Sequence, residues 1–127
     1  MTALHPGDCF RGTTFDRHLQ IILVIAQAAR LACVNATSFG SGLDGDRSCV
    51  LKRGDHATIL HDSCIVYERA RLVRIEDLEK GFERGLLEHL DPLRSSVFKR
   101  VIQGAIESED TPGHIVNLLQ SARDASA

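Results

Sequence analysis

The chain has 127 residues, 43% of them hydrophobic and 25% charged, enough for one domain whose core needs no disulfide or metal support. Its net charge of −2 is far from the footprint of a strongly basic nucleic-acid binder, and no apolar run reaches the ~18 residues of a membrane span. The N-terminus has no charged-then-apolar leader, which predicts a cytoplasmic location and no membrane partner.

In chain order, His5-Pro6-Gly7-Asp8 reads as a turn, followed by a short β run over Cys9–Arg11. Residues 12–17 are polar and loop-like. The run HLQIILVIA (18–26) is almost entirely β-branched or aliphatic, which predicts a central strand covered on both faces. Residues 30–38 predict a second long strand, and the glycines within 40–46 a turn or mobile loop. Another strand is predicted over 48–52, broken by Arg53-Gly54-Asp55. Residues 64–74 alternate well enough for one long strand, with Ile65, Tyr67 and Arg69 on one side and Val66, Glu68 and Ala70 on the other. Short strands this closely spaced point to a small barrel rather than to parallel βαβ units.

The second half changes period. Residues 76–84 predict a short helix with Gly85 as its stop. Asp91-Pro92 reads as a cap and first-turn proline, and Leu93, Val97, Phe98, Val101, Ile102, Ala105 and Ile106 trace one apolar helical face. Thr111-Pro112 repeats the start signal for a last amphipathic helix carrying Ile115, Leu119 and Ala122. The expectation is a single α+β domain over 1–127, with a barrel part in 1–75 and a helical part in 76–127.

Charge separates these parts. Residues 1–75 carry nine Lys+Arg against seven Asp+Glu, and residues 76–127 carry six against ten. Arginine, the better fork for phosphate, outnumbers lysine twelve to three. This balance permits a nucleic-acid substrate without arguing for one.

Three constellations carry possible chemistry. Thr37-Ser38 ends a strand just before the glycine-rich segment, where hydroxyls can donate to phosphate oxygens or satisfy the turn backbone. Arg17-His18 combines a phosphate fork with an imidazole that can take or give a proton, as phosphodiester cleavage needs. Cys49, His56, His61 and Cys64 are residue types that ligate zinc, yet their spacing matches no standard finger. The same histidines equally suit the holding of loop backbones. Cys9 and Cys33, like the other two thiols, read as small buried hydrophobes.

The order of these pieces resembles the MazF/PemK-like toxins of bacterial toxin–antitoxin modules. The resemblance runs over residues 5 to 80: Gly7-Asp8, then Arg17-His18 leading into LQIILVIA, then CVNATS. Within it, Asp46, Cys49, Leu51, Gly54-Asp55-His56, Ser63 and Tyr67 are similar to a divergent PemK-like branch. It implies a small SH3-like antiparallel β-barrel with C-terminal helices. It also implies a homodimer that cuts single-stranded RNA without a metal or other cofactor, and an antitoxin protein as partner. Arg17 or His18 together with Thr37 then face the scissile phosphate, with Ser38 donating to its oxygens. His18 or His56 handles protons, and Arg53 and His61 bind substrate. Two departures stand out: His18-Leu19 replaces the family's arginine-proline, and the helical C-terminus is long. They leave room for a second expectation, a non-catalytic module of the same fold that binds a protein partner.

Overall fold

The computed structural model describes residues 3–13, 17–38 and 47–126. The expected glycine-rich turn at 40–46 and part of the 12–17 loop lie outside them. The chain is α+β. Among the described residues seven strands form one antiparallel sheet: β1 (Cys9–Gly12), β2 (Leu19–Ala26), β3 (Arg30–Ser38), β4 (Val50–Leu51), β5 (Ser63–Ile65), β6 (Arg71–Arg74) and β7 (Leu87–Leu90). The α-helices among the described residues are α1 (Ile75–Glu83), α2 (Ser95–Glu107) and α3 (Gly113–Ser126). No helix among the described residues is long and apolar enough to cross a membrane.

The sheet runs β4-β5-β3-β2-β1-β7, with β6 also paired to β3, and no ladder among the described residues joins β4 to β7. The sheet is therefore open rather than closed into a barrel. β2 is its centre, as its composition predicts. Residues Leu19 to Val24 are all buried. A bulge lets Ile22 face Cys33 while Val24 faces Ala32, so Leu23 is an extra residue in the ladder. Leu23 and Val24 consequently both enter the main core, against Val97, Val101, Ile115 and Leu119 of α2 and α3. On the opposite face Ile22 joins Phe10, Leu31, Cys33, Leu78 and Leu87 beneath α1.

The hairpin that joins β2 to β3 turns through Ala28 and Ala29 at φ of 58° and 54°. Both alanines sit in the left-handed region that glycine or asparagine tolerates best.

The single strand expected over 64–74 is two strands. β5 pairs with Ala36–Ser38 and β6 with Arg30–Cys33. Between those ladders residues 66–70 stand opposite only Val34 and Asn35, so the surplus chain must leave the sheet plane. It does so as a one-turn 3-10 helix over Tyr67–Arg69. The turn drives the Tyr67 ring into the core, where its hydroxyl donates to the Val101 carbonyl at 2.7 Å. Hydrophobic alternation alone cannot separate this arrangement from a continuous strand, because Tyr67 is inward in both.

β7 comes from the half expected to be purely helical. Its four residues pair throughout with β1. His89 stacks on Phe82 of α1, with ring centroids 3.8 Å apart and 7° between planes. Gly12 is what allows the approach, since a Cβ there would collide with the Leu86 carbonyl. The α1 stop falls where the glycine signal puts it. Gly85 has φ 73°, its N–H donates to the Phe82 carbonyl at 3.2 Å, and the Leu86 N–H donates to Gly81 at 2.9 Å. That is a Schellman closure. Gly85→Ala is expected to lower stability by about 1 kcal/mol, read as a shift of the urea midpoint at unchanged slope.

α2 starts at Ser95, later than the Asp91-Pro92 signal suggests. The Leu93 N–H donates to the Gly7 carbonyl at 2.9 Å and the Leu93 side chain is buried, so residues 91–94 stay extended to cover the Gly7 turn. A polar clip then ties α2 to the β4 turn. Arg100 donates to both Asp55 carboxylate oxygens, at 3.3 and 3.2 Å, and to the Val50 carbonyl at 2.8 Å. Asp55 also accepts the Lys52 N–H at 2.8 Å.

Burial alone would raise the Asp55 carboxyl, but the Lys52 amide together with Arg100 and Arg94 holds it below its ordinary value of 3.8. A lowered folded-state pKa adds stability that is present above the ordinary value and is lost as pH falls through the folded one. The denaturation midpoints of wild type and Asp55→Asn should therefore differ at neutral pH and converge below about pH 4.

Candidate functional site

The ends of β2, β3 and β5 meet at one cleft of about 340 Å³. Its floor is apolar: Leu19 from β2, Ala36 from β3, Leu90 from β7, and Ile59, which is buried against the core. Its rim is polar and cationic. Arg17 and His18 arrive from the segment before β2, Thr37 and Ser38 from the end of β3, and His61 from the segment before β5. The antiparallel pairing of Thr37 with Cys64 and Ser38 with Ser63 brings His61 beside the hydroxyl pair. The Ser63 hydroxyl donates to the His61 carbonyl at 2.8 Å, fixing the backbone there.

Arg17 has φ 61°, with its N–H donated to the Gly12 carbonyl at 3.0 Å. A non-glycine residue held in the left-handed region stores strain of order 1–3 kcal/mol, and such strain gathers at functional sites. Arg17 is exposed, His18 half-buried and Thr37 buried, so the cation reaches outward over a hydroxyl set into the wall. Leu60 is 62% exposed at the lip. Among the described residues no carboxylate lines the cleft. Cations and hydroxyls around an apolar floor complement an anion attached to an apolar group.

Five of the seven residues expected at a site from sequence thus line one cleft: Arg17, His18, Thr37, Ser38 and His61. Two do not. Arg53 is exposed in the turn after β4, away from the lining. His56 is buried and tied on both sides. Its Nε2 donates to the Asp91 carbonyl at 2.5 Å and its Nδ1 accepts the Thr58 N–H at 3.1 Å. That imidazole braces residues 56–58 against the chain leading to α2. It reaches the cleft only through Thr58, which sits 2.8 Å from Nδ1 and lines the rim.

Two rim residues have no clear signal in the sequence. Arg11 looks like an ordinary strand arginine, and Thr58 lies between two more conspicuous histidines. Both enter because β7 and the 56–60 segment fold over the strand ends.

The zinc-type spacing does not converge. Among the described residues no three His, Cys, Asp or Glu side chains gather in metal-binding geometry. All four cysteines are buried and unbridged. Burial pushes the Cys9 thiol up to about 12 and the Cys33 thiol to about 11, so neither is a nucleophile near neutral pH. Compared with known proteins, the chain matches no family model and no curated sequence.

Proposed function

We propose that the chain is a metal-independent endoribonuclease of the MazF/PemK type that cleaves single-stranded RNA at the cleft between the ends of β2, β3 and β5. The observation that carries this reading is the composition of one cleft: Arg17, His18, Thr37, Ser38 and His61 on the rim, an apolar floor, and no carboxylate among the described lining residues. The open antiparallel sheet, with α2 and α3 on one face and α1 on the other, is compatible with an opened SH3-like barrel. An antitoxin protein and a second copy of the chain are the partners that this reading implies.

The chemistry follows from what each group can do. A histidine, His18 or His61, takes the proton of the ribose 2′-hydroxyl as its oxygen attacks the adjacent phosphorus. The Arg17 guanidinium and the Thr37 and Ser38 hydroxyls stabilise the extra negative charge of the phosphorane. The other histidine gives a proton to the departing 5′-oxygen. The products are a 2′,3′-cyclic phosphate and a free 5′-hydroxyl, with no water consumed. His56, whose ring nitrogens hold Asp91 and Thr58, positions the wall rather than moving protons.

The test is incubation with mixed-sequence single-stranded RNA in EDTA, followed by end-group analysis. Fragments ending in 2′,3′-cyclic phosphate are the expected result. Intact RNA after incubation with folded protein would overturn the reading in favour of a binding module.

A further inference from the structure

Arg11 and Arg17 line a second cleft as well as the first. It has a volume of about 440 Å³ and continues past Gly12 and Thr13 to Gly85, Leu86 and Glu88. The two depressions are therefore neighbours that share a pair of guanidinium groups. Each has the same complement of parts: arginine, a threonine hydroxyl, and an exposed leucine at the lip. In the first cleft that leucine is Leu60, 62% exposed, and in the second it is Leu86, 47% exposed. Among the described residues three large apolar side chains are this exposed, and two of them stand at these lips.

Among the described residues one side-chain contact holds Arg11. Its Nε donates to the Glu88 carboxylate at 2.5 Å, across the directly paired positions of β1 and β7. No described residue bonds its two Nη groups. Both partners of the pair are about half exposed, at 45% and 58%, so water weakens the pairing and a phosphate can compete for the fork.

We propose that the second cleft is a subsite for the neighbouring nucleotide of the bound strand. In it Arg11 takes that nucleotide's phosphate, Leu86 packs on its base, and Glu88 orients the arginine while opposing the incoming charge. The inference rests on the reading of the first cleft as a phosphodiester site. It adds that recognition extends over two consecutive phosphates, and that Glu88 moderates affinity.

The test is binding, kept apart from cleavage. Fluorescence anisotropy would compare labelled 2′-O-methyl dinucleotides (one internal phosphate) with labelled 2′-O-methyl tetranucleotides of the same mixed sequence, which cannot be cut. Wild type should bind the tetranucleotide about tenfold more tightly than the dinucleotide at low salt. Arg11→Ala should reduce that ratio to near one. Glu88→Gln should tighten tetranucleotide binding severalfold, a direction that mere loss of structure at the β1–β7 edge does not produce.

Equal affinity for both lengths in wild type, or an unchanged ratio in Arg11→Ala, overturns the subsite. So does weaker tetranucleotide binding by a folded Glu88→Gln protein. If uncut RNA accompanies the expected binding pattern, the subsite stands and the catalytic reading falls. If RNA is cut but length has no effect on binding, the reverse holds.

Discussion

His18→Ala combined with Thr37→Ala is expected to reduce metal-free RNA cleavage by at least about 10³-fold. A positioned proton-transfer group contributes roughly 10²–10⁴-fold and a donor to a developing oxyanion roughly 10²–10³-fold, and groups acting on one transition state do not combine additively. Thr37 is buried while His18 is half-buried at the mouth, so the double variant also removes a hydroxyl from the wall. Thr37→Val keeps the volume and removes only the donor. In His18→Ala/Thr37→Val the cleavage rate should fall just as far, while the circular-dichroism melt stays within a few degrees of wild type. Cleavage by either folded double variant at more than a tenth of the wild-type rate would move the reaction away from this cleft. His56→Ala provides a contrast. Removal of the brace to Asp91 should lower the melting temperature as well as activity, because the imidazole supports the wall rather than the reacting atoms.

The largest loss of stability is expected where the 3-10 turn inserts Tyr67 beneath α2. The ring is fully buried, and the helix passes so close that Gly104 is the residue above it. A Cβ on Gly104 would collide with the Tyr67 hydroxyl and crowd the Cys49 Cβ, at 2.9 Å. Tyr67→Ala should cost about 3–5 kcal/mol, a large share of a small domain's total. Gly104→Ala is expected to destabilise by up to about 2 kcal/mol. With three contacts at or below 3.0 Å, the overpacking penalty of roughly 1–3 kcal/mol falls in the upper part of that range and outweighs the gain of about 1 kcal/mol from alanine's better helix propensity.

The two sites are coupled through one oxygen atom. Tyr67→Phe alone should lose about 1 kcal/mol with its hydrogen bond to Val101. Added to Gly104→Ala, it removes the nearest of the atoms that the new Cβ would meet, leaving the Cys49 Cβ. Chemical denaturation of the four proteins should show a double variant more stable than the sum of the singles predicts. Strict additivity would mean that the helix shifts instead of pressing on the hydroxyl.

Parts of this architecture can be read from the residues themselves. β2 and β3 follow from runs of β-branched and aliphatic residues buried on both faces, which few other environments accommodate. α1 ends at Gly85 because only a residue free to take φ near 73° closes that helix without strain. β7 is different. Leu87 to Leu90 is too short to show a period, and two of its residues are a glutamate and a histidine. Its existence depends on the edge that β1 offers and on the ring of Phe82. The break at Tyr67 depends likewise on how many residues β3 leaves opposite it, a property of register rather than of local sequence.

The site divides in the same way. Arg17-His18 and Thr37-Ser38 sit at strand ends that the pattern locates, and the β3–β5 ladder carries His61 to them. Arg53 and His56 are just as conspicuous in the chain. Whether a side chain faces a cleft or braces a wall is decided by long-range partners such as Asp91, thirty-five positions from His56. Arg11 acquires its side-chain partner only when β7 supplies Glu88.

The hairpin between β2 and β3 bears on how the chain reaches this structure. These strands form the longest ladder in the sheet, yet their connection passes through two alanines in the left-handed region. Hairpins that close early generally carry Asn-Gly or a related pair there, because that backbone shape is then populated before any partner strand arrives. With Ala28 and Ala29 the turn opposes its own closure by about 1–2 kcal/mol per residue. Local sequence therefore gives the central hairpin no head start. Its formation is tied to burial of Ile21, Leu23 and Val34 against α2 and α3, contacts between distant parts of the chain that slow folding.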